Sequence, residues 1–161
     1  MPLYFAYGSN MDAVAMQARC PKARLLGRAR LARHRLALMA DGYATVVRAP
    51  ASVVHGVLYD LAQSDIAPLD RYEEVARGLY AKVDQPVLRE AGGPVRALVY
   101  VGRAEAADEA RRIPGYGETI LAAARAVGLP GAYIEEIARL LSSGAPAAAR
   151  PRAIKWTPKE A

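Results

Sequence analysis

The sequence has one cysteine in 161 residues, Cys20, so no disulfide can form within the chain. A single free thiol is typical of proteins kept in a reducing compartment. No segment approaches the roughly 20 consecutive apolar residues of a membrane-spanning helix. The first ten residues also lack the basic segment and following apolar segment that mark a secretory signal. These absences predict a cytoplasmic protein with no membrane partner.

Lysine is scarce too, with 4 residues against 18 arginines, and the net charge is +6. The arginines are scattered apart from one cluster, RARLARHRLAL, at residues 28–38. On a strand this cluster would have two mixed faces, one with Arg28 and Arg30, the other with Leu31 and Arg33. Mixed faces are typical of an exposed edge strand. A basic charge without a recognition motif is weak evidence for nucleic acid, so no nucleic-acid partner is expected.

Only two histidines are present, His34 and His55. Neither has a second histidine, a cysteine or an aspartate at the spacing of a metal site. The sequence therefore predicts no metal ion.

Hydrophobic residues make up 53% of the chain and charged residues 24%, which is a globular composition. The length fits one domain with a core of its own. We predict that this domain covers residues 1–143. Residues 144–161 are rich in proline and alanine and contain basic residues. This stretch is predicted to be a tail without its own core, anchored at most by Ile154 and Trp156.

Hydrophobic periodicity predicts six strands and four helices. The predicted strands are residues 3–7, 29–39, 43–49, 53–61, 79–88 and 95–103, with a turn at residues 50–52. The predicted helices are residues 12–19, 64–78, 117–127 and 131–143. Strands dominate early and helices late, which indicates an α+β fold or a small barrel-like sheet with helices packed outside.

The first predicted strand ends at Tyr7, and Gly8, Ser9 and Asn10 lie between it and the first helix. A turn at such a junction gathers several backbone N–H groups in one concavity. Gly8 can take a backbone conformation closed to other residues and admits a ligand close to the main chain. The loop is therefore a candidate site for a carboxylate or a developing oxyanion. Taken alone, the four residues also fit a plain capped turn, which is the commoner structure.

Three carboxylates, Asp70, Glu73 and Glu74, fall within one turn of the second predicted helix. On a helix, either Glu73 or Glu74 must lean toward the side of Tyr72. A carboxylate held against tyrosine rings is a candidate general base. An ordinary solvated acidic face is the alternative. The pattern by itself does not choose between the two glutamates.

In their order along residues 3–142, these motifs resemble the γ-glutamylcyclotransferase family. The matching segments are YFAYGSNM at 4–11, GYATVVRAP at 42–50, VVHGVLYDL at 53–61, LDRYEEV at 69–75, GLY at 78–80, Tyr116, GLP at 128–130 and Tyr133. The resemblance implies a small mixed β-barrel with surrounding helices and a catalytic base at Glu73. It also implies a substrate site formed by Tyr7, Gly8, Ser9, Asn10, Tyr80 and Tyr116. Glu74 stands where relatives often have glycine.

The reaction that the resemblance implies is intramolecular. The α-amine of the γ-glutamyl group of a γ-glutamyl amino acid or peptide attacks its own γ-carbonyl and releases 5-oxoproline with a free amine or amino acid, without a cofactor. Relatives specific for glutathione usually have leucine at the position of Asn10, and those acting on γ-glutamylamines usually read Y-G-T-L. Asn10 therefore favours a small-molecule γ-glutamyl amino acid as substrate. A γ-glutamylamine or another conjugate, a non-catalytic binding protein on the same fold, and pairing as a homodimer are left open.

Overall fold

Five strands and four helices make up the computed structural model of the chain, which describes residues 2–142. In chain order they are β1 (Leu3–Ala6), α1 (Ala13–Arg19), β2 (Arg24–Leu38), β3 (Ala44–Asp60), α2 (Ile66–Tyr72), β4 (Tyr80–Arg89), β5 (Pro94–Gly102), α3 (Tyr116–Ala126) and α4 (Gly131–Ser142). Short 3-10 turns lie at Ser9–Met11, Gln63–Asp65 and Val75–Arg77. The tail predicted at residues 144–161, with Ile154 and Trp156, lies outside the described residues.

The five strands close into a barrel in the order β1-β3-β2-β4-β5. Neighbouring strands are antiparallel except β5 and β1, which close the barrel side by side in parallel. The predicted α+β fold, a small mixed β-barrel with surrounding helices, is confirmed. Closure matters for the site because it brings the end of β1 beside β3 and β5, which are distant in sequence.

The turn predicted at residues 50–52 is wrong, because β3 continues through it as one strand. Its partner β2 pairs Ala32 with Val53 and His34 with Arg48, so residues 49–52 stand opposite Arg33 alone. This is a bulge, and Arg33 takes a positive φ of 61° within it. Proline is tolerated at bulges because it has no N–H to contribute to the ladder. The strands predicted at residues 43–49 and 53–61 are therefore one strand, β3.

The arginine-rich strand β2 is not the edge strand that its sequence suggested. It begins at Arg24, pairs with β3 along its length, and pairs with β4 at Ala29 and Arg30. Leu31 is 2% exposed, whereas Arg33, predicted on the same face, is exposed. The bulge accounts for the difference, because it breaks the two-residue alternation after Ala32.

Helices α3 and α4 each bury one face, as their amphipathic sequences predict. Helix α3 buries Tyr116 and Ile120, and α4 buries Tyr133 and Ile137, in both cases four residues apart. The chain passes from α3 to α4 through Gly128, whose φ is 73°. Packing of α3 against the barrel places Tyr116 next to the first loop. No helix within residues 2–142 is both long and apolar enough to cross a membrane.

Candidate active site

The loop after β1 folds into a tight 3-10 turn at one end of the barrel. Its backbone bonds run from Met11 N–H to Gly8 O (3.1 Å) and from Asp12 N–H to Ser9 O (3.1 Å). Ser9 is 8% exposed and Asn10 3% exposed, although both are polar. Because the turn's bonds are donated by Met11 and Asp12, the amide groups of the preceding residues are not used within it. The loop thus offers backbone donors at a buried position.

Two details differ from the sequence-based expectation for this loop. The first amide groups of α1 are bonded already, since Asp12 Oδ1 accepts from Val14 N–H (3.0 Å) and Ala15 N–H (3.2 Å). Gly8 has a φ of −121°, so it does not use a conformation with positive φ. A Cβ at Gly8 would lie 3.9 Å from the Tyr116 hydroxyl. The glycine therefore contributes space beside the main chain.

A break in the predicted second helix decides the position of Glu73. Helix α2 ends at Tyr72, where residues 64–78 had been predicted as one helix. Glu73 N–H still donates to Leu69 O (2.9 Å), but Glu74 takes a left-handed conformation with φ 52° and ψ 42°. Glu74 then pairs with Arg77 at 2.8 Å, while Glu73 is only 6% exposed. The structure thus separates two adjacent carboxylates, one turned into the protein and one paired near the surface.

Glu73 and the first loop line the same cavity. Its walls are formed by Tyr4, Tyr7, Gly8, Ser9, Asn10, Ala44, Glu73, Tyr80, Tyr100 and Tyr116. All seven residues predicted from the sequence are among them, brought together from four separate parts of the chain. The cavity measures about 20 Å³, room for about one water molecule. Entry of anything larger requires the lining side chains to move apart.

Three cavity residues were missed at the level of sequence: Tyr4, Ala44 and Tyr100. Tyr4 and Tyr100 both sit in regular strands, and nothing in the local pattern distinguishes them from core tyrosines. Only closure of the barrel, which pairs Tyr4 with Leu98 of β5, brings them to the loop.

Hydrogen bonds from the tyrosines hold the cavity walls together. Tyr7 donates to the carbonyl of Tyr100 (2.5 Å), and Tyr80 donates to the carbonyl of Ala44 (2.5 Å). Tyr116 accepts from the amide of Ala44 (3.0 Å). These bonds link the residue after β1 to β5, and they link β3 to both β4 and α3.

The tyrosines that line the cavity share one electrostatic property, a raised pKa. Burial raises the pKa of Tyr7 and Tyr80 well above the ordinary value, and the neighbouring Glu73 carboxylate raises it further. Burial also raises the pKa of Tyr116, by more than its bond from Ala44 lowers it. These phenols therefore stay neutral at physiological pH, and a neutral phenol can donate a hydrogen bond.

A second layer of polar contacts supports the loop from outside. The hydroxyls of Ser9 and Tyr72 are hydrogen-bonded at 2.8 Å. The Arg19 guanidinium lies over the Tyr72 ring, 3.7 Å from its centroid, and donates to Asn10 Oδ1 at 2.7 Å. Tyr59 donates to the backbone carbonyl of Asn10 at 2.9 Å. No local pattern pointed to Arg19 or Tyr59 in this role, because their partners are 9 and 49 residues away.

A larger cavity of about 290 Å³ lies between Arg30, His55 and Leu129, away from the loop. The carboxylate beside it, Glu90, is engaged by both Arg28 Nε (2.6 Å) and Arg28 Nη2 (2.7 Å). This cavity is larger than the one at the loop, but chemistry favours the smaller one, which a buried carboxylate and hydrogen-bond donors line together. Within residues 2–142 no three His, Cys, Asp or Glu side chains are grouped so as to hold a metal ion.

Comparison with known proteins identifies the family of the chain. The family model described as gamma-glutamyl cyclotransferase, AIG2-like matches residues 4–118. The chain belongs to this family. It is similar to the gamma-glutamylcyclotransferases of Mus musculus and Homo sapiens, with 30% and 29% identity over 145 residues, which cover 84% of this chain and 76% of each relative. The family predicted from the sequence is confirmed.

Solved structures agree on the fold of this γ-glutamyl cyclotransferase family member. A structure entitled gamma-glutamyl cyclotransferase matches with a TM-score of 0.77 and 25% identity, over 95% of this chain and 93% of the other. An uncharacterized protein from Homo sapiens, loc79017, matches with a TM-score of 0.76 and 26% identity, over 94% and 92%. The γ-glutamyl cyclotransferase family is one of enzymes, and the cavity at the first loop is the candidate active site of this member.

Proposed function

We propose that this protein is a γ-glutamylcyclotransferase that converts a γ-glutamyl amino acid into 5-oxoproline and the free amino acid. The observation that carries the proposal is the buried Glu73 carboxylate in one cavity with Gly8, Ser9 and Asn10. A cyclising acyl transfer needs a base for the attacking amine and donors for the oxyanion, and this cavity holds both kinds of group.

The proposed reaction starts with Glu73 accepting a proton from the substrate's α-ammonium group. The freed amine nitrogen attacks the γ-carbonyl carbon, which forms the ring C–N bond and places negative charge on the carbonyl oxygen. Collapse of this intermediate breaks the original amide C–N bond. The leaving nitrogen takes the proton held by Glu73 and then, through Glu73, the second proton of the ring nitrogen, so that it departs as an ammonium group. The sum is one substrate giving 5-oxoproline and an amino acid, with no water consumed.

The remaining predicted residues would position the substrate. The amide groups at Gly8, Ser9 and Asn10, which line the cavity, would bind the oxyanion or the α-carboxylate. Tyr80 and Tyr116 would form the opposite wall. Holding the chain in the folded conformation makes ring closure effectively unimolecular, worth about 7–11 kcal/mol in favourable cases.

Incubation with a panel of γ-glutamyl compounds tests the proposal. The panel contains γ-glutamyl amino acids, glutathione, γ-glutamylamines and larger γ-glutamyl conjugates, and 5-oxoproline is measured by chromatography. We expect release from γ-glutamyl amino acids, as Asn10 indicates. Release from amines alone would reassign the substrate class. No release from any member, with folded protein, would contradict the proposed activity and favour a non-catalytic binding protein.

A further inference from the structure

Tyr4 contributes a hydroxyl to the cavity whose hydrogen has no protein acceptor. Tyr4 lies in β1, 3% exposed, with its ring stacked on Tyr59 (6.1 Å between centroids) and edge-on to Tyr100 (5.7 Å). Its oxygen accepts a hydrogen bond from Asn10 Nδ2 at 3.0 Å. A phenol has one hydrogen and two acceptor lone pairs, so this bond occupies a lone pair and leaves the hydrogen unused. Within residues 2–142 no acceptor meets that hydrogen.

Three other tyrosines of the cavity differ from Tyr4 in this respect. Tyr7 and Tyr80 donate to backbone carbonyls, as described above, and Tyr100 donates to Asp70 Oδ1 at 2.7 Å. Their hydrogens are committed to holding the walls together. The hydrogen of Tyr4 is left for whatever occupies the cavity.

Arg19 determines the direction of this hydrogen through the Asn10 amide. A guanidinium has donors only, so the atom of Asn10 that faces Arg19 must be the oxygen Oδ1. The amide nitrogen Nδ2 is thereby turned to Tyr4. If the amide were reversed, its oxygen would accept the hydrogen of Tyr4 and remove it from the cavity. The contact with Arg19 excludes that arrangement.

The environment of Tyr4 keeps the hydrogen on its oxygen. Burial raises the pKa of Tyr4 well above its ordinary value, and the negative charge of Glu73 raises it further, while the bond from Asn10 lowers it. Tyr4 and the proposed base, Glu73, line the same cavity. Tyr4 is therefore a neutral donor beside the reacting groups at any physiological pH.

We infer that Tyr4 donates a hydrogen bond to the γ-carbonyl oxygen of the bound γ-glutamyl group as that oxygen becomes an oxyanion, and that Arg19 and Asn10 are positioning residues which direct this donor. The inference rests on the proposed function. The hydrogen stays on Tyr4 throughout, so the contribution is electrostatic and no proton is transferred. Because the bond strengthens as charge develops, it lowers the barrier more than it tightens substrate binding.

The first test is the Tyr4→Phe variant, assayed on the best γ-glutamyl substrate of the panel. Loss of one oxyanion donor predicts a fall in kcat of about 10²-fold, with KM little changed. Tyr133→Phe is the matched control, since Tyr133 is equally buried but lies on α4, outside the cavity. We expect wild-type kinetics from the control. Thermal unfolding of each variant separates a loss of fold from a loss of catalysis.

The second test is Arg19→Met, which lets the Asn10 amide rotate and accept from Tyr4. We expect this variant to lose kcat as Tyr4→Phe does. The double variant, Arg19→Met with Tyr4→Phe, should lose little more than either single variant, because both act on one hydrogen bond. Losses that multiply in the double variant would overturn the positioning role, since a merely structural arginine acts independently of the Tyr4 hydroxyl.

Binding of 5-oxoproline, measured by calorimetry, separates failure of this inference from failure of the proposed function. Turnover by the wild type with an unchanged kcat in Tyr4→Phe would overturn the donor role alone. If the wild type binds 5-oxoproline but turns over no panel member, the donor role requires Tyr4→Phe to bind roughly 2–10-fold more weakly. Equal affinity of Tyr4→Phe and the wild type for 5-oxoproline would then overturn the donor role. Neither turnover nor binding by the wild type would overturn both proposals.

Discussion

The hydroxyl of Tyr59 donates a hydrogen bond of 2.9 Å to the backbone carbonyl of Asn10, which fixes the first loop to the wall of the barrel. Both residues are buried, with 2% and 3% of their surfaces exposed. Burial raises the pKa of Tyr59 to about 12, so the bond is intact throughout the physiological range. The shape of the candidate site thus depends on a strand 49 residues along the chain from the loop.

Replacing Tyr59 with phenylalanine tests this link. The variant leaves the carbonyl of Asn10 buried without its donor, which costs about 1–3 kcal/mol of the free energy of unfolding. We expect a lower midpoint in urea and, because the loop is looser, a higher KM. Tyr133→Phe serves as the control, since its ring is buried on a different element. Unchanged stability and unchanged KM for Tyr59→Phe would show that the loop is held by other contacts.

The role proposed for Glu73 predicts a difference between two adjacent carboxylates. Glu73→Gln keeps the shape of the side chain but removes the base, so 5-oxoproline release should fall by about 10²–10⁴-fold. Glu74→Gln is the matched control, because Glu74 is paired with Arg77 and does not line the cavity. Its kcat should stay close to the wild-type value. Activity that survives Glu73→Gln, or falls equally in both variants, would contradict the assignment.

The backbone at Glu74 predicts an unusual order of stability for glycine and alanine. In a helix, glycine is less stable than alanine by about 0.5–1 kcal/mol. At Glu74, φ is 52°, where a side chain costs about 1–2 kcal/mol that glycine avoids. Both Glu74→Gly and Glu74→Ala lose the pair with Arg77, so their comparison isolates the backbone. We expect Glu74→Gly to be the more stable by about 1 kcal/mol in denaturant titration, and the reverse order would show that the left-handed turn does not persist in solution.

The thiol of Cys20 is predicted to be unreactive in the folded protein. Cys20 is 0% exposed at the end of α1, and burial, helped by Asp65 and opposed by Arg19, raises its pKa to about 11. At pH 8 only about one thiol in a thousand is then ionised, and the thiolate is the reactive form. A disulfide reagent should label the unfolded protein within minutes and the native protein far more slowly. Rapid stoichiometric labelling of native protein would contradict the buried position.

Much of the architecture could be predicted from local patterns, and the errors have physical causes. Helices α3 and α4 were predicted to within one or two residues, because their buried faces repeat every three to four positions. Pro50 was predicted to end a strand, but it lies in a bulge opposite Arg33 and the strand continues through it. Residues 64–78 have helical spacing throughout, yet the helix ends at Tyr72. Which of the two adjacent glutamates faces the barrel depends on where this helix ends. The spacing of apolar residues does not predict that end.

The sequence by itself determined the order of strands and helices, the polar loop at Tyr7–Asn10, the acidic segment, and the family to which these motifs belong. The alternation of apolar and polar residues and the residue preferences of turns act over a few neighbouring positions, so both can be recognised from the sequence. Tertiary structure decided that the barrel closes, that Glu73 is buried, and that Tyr4 and Arg19 act on the loop from opposite sides. Burial and hydrogen bonding join residues far apart in the chain, and their partners exist only once β1, β3, β5 and α1 are packed together.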